Sequence, residues 1–140
     1  MAKIETIYLI NKSHTDIGFT DYQDICFRQH VEFIDQAIDL IEETRDFPEG
    51  SKFRWVCEAT GPLMRFLDTA PPHRIEHFKR LCDEGSMEVT AMMYPHFTQA
   101  FTLEENIRSL YPVRRLRDEF GLKVDTADQS DVTGVSWKFV

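Results

Sequence analysis

Ile7-Tyr8-Leu9-Ile10-Asn11-Lys12-Ser13-His14-Thr15-Asp16-Ile17-Gly18-Phe19 carries an apolar run straight into a His-x-Asp pair and a glycine. Together with Ile4, the run from Ile7 to Ile10 has the nearly continuous apolar character of a strand covered on both faces in a parallel sheet. Side chains alternate faces along a strand, so His14 and Asp16, two positions apart, point the same way and can grip one ion. An imidazole and a carboxylate suit zinc, and catalytic zinc sites keep one position open for water or substrate. A His-x-Asp pair by itself is too short to define a site.

Downstream of this stretch the hydrophobic period changes. Phe27, Val31, Ile34, Ile38 and Ile41 recur at spacings of four and three, which predicts a long helix capped by Thr20 or Asp21 and ended by Asp46-Phe47-Pro48-Glu49-Gly50. Phe53-Arg54-Trp55-Val56-Cys57 reads as a second strand, and Gly61-Pro62 is expected to break the chain before a short helix around Leu63 to Leu67. Pro72 can open the next helix, with Ile75, Phe78, Leu81 and Cys82 facing inward and Gly85 as its stop. Met87-Glu88-Val89-Thr90-Ala91-Met92 is a third strand. Thr102 and Glu105 form a capping box for a helix that Pro112 interrupts before it runs to Phe120 and stops at Gly121. Leu122 to Thr126 is a fourth strand. Strands alternating with helices, without internal repeats, predict an α/β domain with a mostly parallel sheet and right-handed crossovers.

Composition narrows the function. The 140 residues, 42% hydrophobic with 11 Phe, suffice for one globular core. A net charge of -8 repels phosphate backbones and anionic lipid, so neither nucleic acid nor a membrane surface is an expected partner. No stretch approaches the roughly 20 apolar residues of a membrane span, and Met1-Ala2-Lys3-Ile4-Glu5 begins a strand pattern without the apolar core of a signal peptide, so a cytoplasmic location is expected. Cys26, Cys57 and Cys82 lack a Cys-x-x-Cys pair and read as buried reduced thiols.

In parallel α/β sheets and barrels, chemistry collects at the carboxyl ends of the strands. His14 and Asp16 follow the first strand, Glu58 the second, and Asp128-Gln129-Ser130-Asp131 the fourth. Separate segments therefore deliver polar groups to one rim.

Ser13-His14-Thr15-Asp16-Ile17-Gly18-Phe19 and Gln129-Ser130-Asp131-Val132-Thr133-Gly134-Val135-Ser136 resemble, respectively, the metal-binding and nucleophile segments of the amino-terminal catalytic domain of glycoside hydrolase family 38, the zinc-dependent α-mannosidases. Phe53-Arg54-Trp55 and Ser109-Leu110-Tyr111-Pro112 also look like bacterial members. The resemblance implies that His14, Asp16 and Asp131 bind one zinc ion, that Asp131 is the nucleophile, and that Phe19 replaces a sugar-stacking tryptophan. It implies retaining hydrolysis of α-linked mannosides, with an α-mannoside glycan as partner. A retaining glycosidase needs one carboxylate to attack the anomeric carbon and a second acid to protonate the leaving oxygen.

Departures accompany the match. Lys12 stands where many members carry a further histidine. The family's general acid and fourth ligand, a histidine, come from segments beyond position 140, and Val135-Ser136-Trp137-Lys138-Phe139-Val140 ends without a stop signal. Residues 1–140 are therefore read as the amino-terminal portion of a longer catalytic domain, the first part of an irregular (β/α) barrel of about four strands. As such, the chain is expected to be inactive alone and able to form a homo-oligomer through its open sheet edge or the helix face of Phe27, Val31 and Ile34.

Two other readings follow from the same residues. A metal-dependent polysaccharide deacetylase would need a His-x-x-x-His pair on the catalytic rim, and His73 and His77 have that spacing; a non-catalytic fragment would do no chemistry at all. Among the remaining polar residues, Asp128 rivals Asp131 more closely than Asp125 does. Glu58 is read as structural, as a rim group or a partner for Arg65. His30 and His96 are read without a role, Phe97 and Phe101 as core aromatics, and the mixed run Arg114, Arg115, Arg117, Asp118, Glu119 as a solvated face.

Overall fold

The computed structural model describes residues 3–137 and 139. The expectations for Met1, Ala2, Lys138 and Val140 lie outside the described residues. In chain order the elements are α1 (Gln23–Glu43), a 3-10 turn (Glu49–Ser51), β1 (Trp55–Cys57), α2 (Thr60–Thr69), α3 (Pro72–Asp83), β2 (Met87–Val89), α4 (Leu103–Arg108) and α5 (Tyr111–Phe120).

The apolar period of α1 sets its packing. Ile34, Ile38 and Ile41 are buried, while Phe27 and Val31, nearer its start, are only half-buried. Ile34, Ile38 and Ile41, with Val31 packed against them, share one core with Leu63, Phe66 and Leu67 of α2, Phe78 and Leu81 of α3, Met87 and Val89 of β2, and Leu116 of α5. The Phe66 and Phe78 rings lie 5.7 Å apart within it. Each such side chain removed from water contributes about 1.5–3 kcal/mol, which makes this helix-lined layer the stabilising centre of the domain.

Helix ends follow local chemistry, with two departures from expectation. Pro72 occupies the first turn of α3, and Thr102 and Glu105 form a reciprocal capping box on α4. Gly121 takes a φ of 68° after α5, and Leu122 N–H then donates to the Leu116 carbonyl. Neither Thr20 nor Asp21 caps α1, which starts after Tyr22 without a side-chain cap. Gly61 and Pro62 do not break the chain. They lie within the first turn of α2, where a missing proline N–H costs nothing.

The sheet is smaller than the sequence suggests. β1 and β2 pair in parallel with Val56 opposite Glu88. Isolated parallel bridges, Lys12 to Val56 and Thr90 to Thr126, flank them. The predicted first strand is thus reduced to the Lys12 bridge, and Ile4, Ile7, Tyr8, Leu9 and Ile10 remain 73–86% exposed. Extending the Lys12–Val56 register backward would place Tyr8 beside Lys52, the residue that ends the 3-10 turn, and the ladder does not reach that far. The predicted fourth strand contributes only Thr126. Leu122 and Val124 are buried, but the Leu122 N–H is committed to the Leu116 carbonyl, and the Val124 carbonyl accepts from the Arg117 side chain. The outcome is a mixed helix-and-strand domain on a small two-stranded parallel sheet, and the barrel of about four strands is not formed among the described residues.

Candidate active site

Glu58 follows β1 directly, and Thr90 Oγ1 donates to its carbonyl at 2.7 Å, which ties the rim to the segment after β2. Its side chain is fully buried, yet it accepts from three donors, all on the segment running from Lys12 to Thr15. Thr15 N–H reaches Oε2 at 2.5 Å, while His14 Nδ1 at 3.0 Å and Lys12 Nζ at 2.9 Å share Oε1. Burial opposes the Glu58 carboxylate, but these hydrogen bonds outweigh it and hold its pKa below the usual range. The hydrogen bond to Glu58 in turn raises the pKa of His14 against partial burial, and the charges of Asp16 and Asp131 add to the rise.

With Nδ1 turned inward, the opposite ring nitrogen of His14 faces outward. Nε2 lies 3.5 Å from Asp16 Oδ1 and 3.7 Å from Asp131 Oδ2. The structure therefore brings His14, Asp16 and Asp131 together from the two segments that the sequence singled out. Two ligands bound at about 2.1 Å to a tetrahedral ion stand about 3.4 Å apart, so both separations suit donors to one small cation. These are pairwise approaches: among the described residues, no group of three or more His, Cys, Asp or Glu side chains is arranged to hold a metal ion. Asp131 has a φ of 53°, a left-handed conformation that aspartate tolerates better than most residues, and its side chain is 83% exposed.

The rival aspartates are engaged elsewhere. Asp128 Oδ2 lies 2.5 Å from Lys12 Nζ, and Asp128 Oδ1 accepts from Ser130 Oγ at 2.6 Å, while Lys12 also donates to Ser130. Partial burial opposes ionisation of Asp128, but the Lys12 and Ser130 hydrogen bonds outweigh it and lower its pKa. Asp125 sits with Lys123 and Arg117 on the surface.

Sequence reasoning placed Glu58 on the rim but read it as structural, and gave Lys12 and Ser130 no role in the site. The position of Glu58 at a strand end was the available signal, but Arg65, its expected partner, lies over the Phe27 ring instead. His30 of α1 is also buried, and burial lowers its pKa; with Ser13, Thr15 and Glu58 it lines a cavity of about 20 Å³, enough for about one water molecule.

Other candidates stand apart. Phe19 is 88% exposed, just after Gly18 with its φ of 84°. His77, on α3, donates from Nε2 to Glu42 of α1 at 2.6 Å, so the His73–His77 pair belongs to a helix seam. His96 is held between the Tyr94 carbonyl and Asn106 Oδ1. Phe97 and Phe101 are half-exposed, contrary to the expected core packing. Arg114 and Arg115 pair with Asp118 and Glu119 along α5, as a solvated face does. The cysteines are free, and burial pushes the Cys82 thiol up to about 12. No described helix is long and apolar enough to cross a membrane.

A buried carboxylate holds one ring nitrogen of His14, and the other faces two aspartates beside parallel strand ends, where α/β folds gather their chemistry. The Glycosyl hydrolases family 38 N-terminal domain matches residues 5–140, and the chain belongs to that family. No curated protein and no solved structure matches it.

Proposed function

We propose that this chain is the amino-terminal portion of a retaining, zinc-dependent α-mannosidase acting on α-linked mannosides. The observation that carries the reading is the approach of Asp16 and Asp131, from distant segments, to the same nitrogen of His14. His14 Nε2 and the two carboxylates would hold the ion, which would supply a grip on sugar hydroxyls and favour a distorted ring. Asp131, whose side chain is exposed, would attack the anomeric carbon, and the exposed ring of Phe19 would offer an aromatic face for the sugar. Asp128, neutralised by Lys12, is left out of the chemistry.

Retention requires a second carboxyl group about 5–5.5 Å from the nucleophile to serve as acid and then base. The family resemblance assigns that acid to none of these residues, so the 140-residue chain alone is expected to bind the ion without turnover. The test is calorimetric titration with zinc beside assays on a chromogenic α-mannoside and an acetylated polysaccharide. Binding lost in Asp131→Asn, without hydrolysis by the isolated chain, supports the proposal. Acetate release would overturn it in favour of the deacetylase, and absence of zinc binding would remove the metal role.

A further inference from the structure

We infer that Glu58 is a positioning residue that fixes His14 as its Nδ1–H tautomer and thereby aims the Nε2 lone pair at the space shared with Asp16 and Asp131. The inference rests on the proposed metal role of His14 for its binding readout, but the tautomer itself is independent of that role. An ionised carboxylate is acceptor-only, so the proton between His14 Nδ1 and Glu58 Oε1 belongs to the histidine. Lys12 shares the same oxygen and supplies a compensating positive charge, while Thr15 N–H takes the other oxygen and fixes the backbone next to His14. The carboxylate is wholly buried and already receives all three donors, which argues against its serving as a solvent-facing acid or base.

Glutamine cannot reproduce this arrangement. Thr15 N–H approaches one oxygen and His14 and Lys12 the other, so either orientation of an amide sets its NH₂ against a donor. Partners of this kind typically change metal affinity by about 10–100-fold. A purely structural Glu58 would affect binding only through overall stability. Thr90→Val supplies the contrast, because Thr90 bonds the Glu58 backbone carbonyl and leaves the carboxylate untouched.

The experiment combines ¹⁵N NMR of the histidine rings in the metal-free chain, at alkaline pH where the imidazoles are neutral, with cobalt titration. His14 is expected to carry its proton on Nδ1 in the wild type. Glu58→Gln is expected to mix the tautomers and weaken cobalt binding about 10–100-fold. Thr90→Val is expected to lower the melting temperature while preserving both the tautomer and the wild-type affinity. A wild-type His14 protonated on Nε2 would overturn the inference even if Glu58→Gln failed to fold. Unchanged tautomer and affinity in folded Glu58→Gln would also overturn it, as would an equal affinity loss in Thr90→Val. Failure of wild-type chain to bind cobalt would count against the metal role in the proposed function, while the tautomer would still decide the role of Glu58.

Discussion

Lys12 Nζ lies 2.5 Å from Asp128 Oδ2, and this pair gives two neighbouring aspartates different environments. Asp128 has a lysine and a serine on its oxygens, whereas Asp131 is largely exposed and faces His14. Asp128→Asn is therefore expected to cost about 1–2 kcal/mol of stability, because it removes a charge-assisted, partly buried contact. Asp131→Asn should stay within about 0.5 kcal/mol of wild type, since asparagine also tolerates positive φ, yet should weaken zinc binding more than tenfold. Urea denaturation and zinc titration of both variants check the division. Reversal of the two effects would assign the site to Asp128.

Gly61 lies beneath Tyr94. A Cβ at Gly61 would fall 2.2 Å from the Tyr94 ring carbon that bears the hydroxyl, and that half-buried ring also packs edge-on to Phe27. Gly61→Ala is expected to cost about 1–3 kcal/mol through overpacking, despite the better helix propensity of alanine. In a Tyr94→Ala background the clash disappears, and the same substitution should become neutral or stabilising. A double-mutant cycle by chemical denaturation measures the coupling; purely additive effects would rule out the steric account.

Thr102→Ala removes one half of the α4 capping box, in which Thr102 Oγ1 accepts from Glu105 N–H at 3.2 Å. The expected cost is about 1 kcal/mol. Because α4 is short and its ends are exposed, the loss should register as faster amide exchange confined to residues 103–108. Uniform acceleration throughout the domain would instead make this cap part of the global folding unit.

Helices were more legible than strands because a helix closes its hydrogen bonds within one segment. The spacing of Ile34, Ile38 and Ile41 and the Thr102–Glu105 pair report local structure directly. The run from Ile7 to Ile10 has strand composition, but a strand also needs a partner, and β1 begins only at Trp55. The same distinction applies at the site. His14, Asp16 and Asp131 sit in recognisable short motifs, whereas a lone glutamate after a strand has no local pattern. Glu58 acquires its environment from donors more than forty residues earlier, of which Thr15 N–H is 43 positions away. The pairing of Lys12 with Asp128 and Ser130 was hidden for the same reason.

Glu42 joins α1 to α3 and should give the domain a measurable acid sensitivity. Its Oε1 accepts from His77 Nε2 at 2.6 Å and Arg80 at 2.9 Å, while Arg45 approaches Oε2 at 3.5 Å; Glu84 balances the two arginines. The His77 hydrogen bond is the main cause of a Glu42 pKa below the ordinary 4.5, with Arg45 and Arg80 assisting against slight burial. A carboxylate with a depressed folded-state pKa contributes stability above its unfolded value and loses it as pH falls through the folded one. The contribution should thus be intact above pH 4.5 and decline below it. Solvent and salt screen this partly exposed network, so about 1 kcal/mol is expected. Glu42→Gln should flatten the acid limb of the stability curve, measured by urea midpoints from neutral to acidic pH, and its deficit should shrink in high salt. An unchanged acid limb would mean that the helix seam holds without the charge on Glu42.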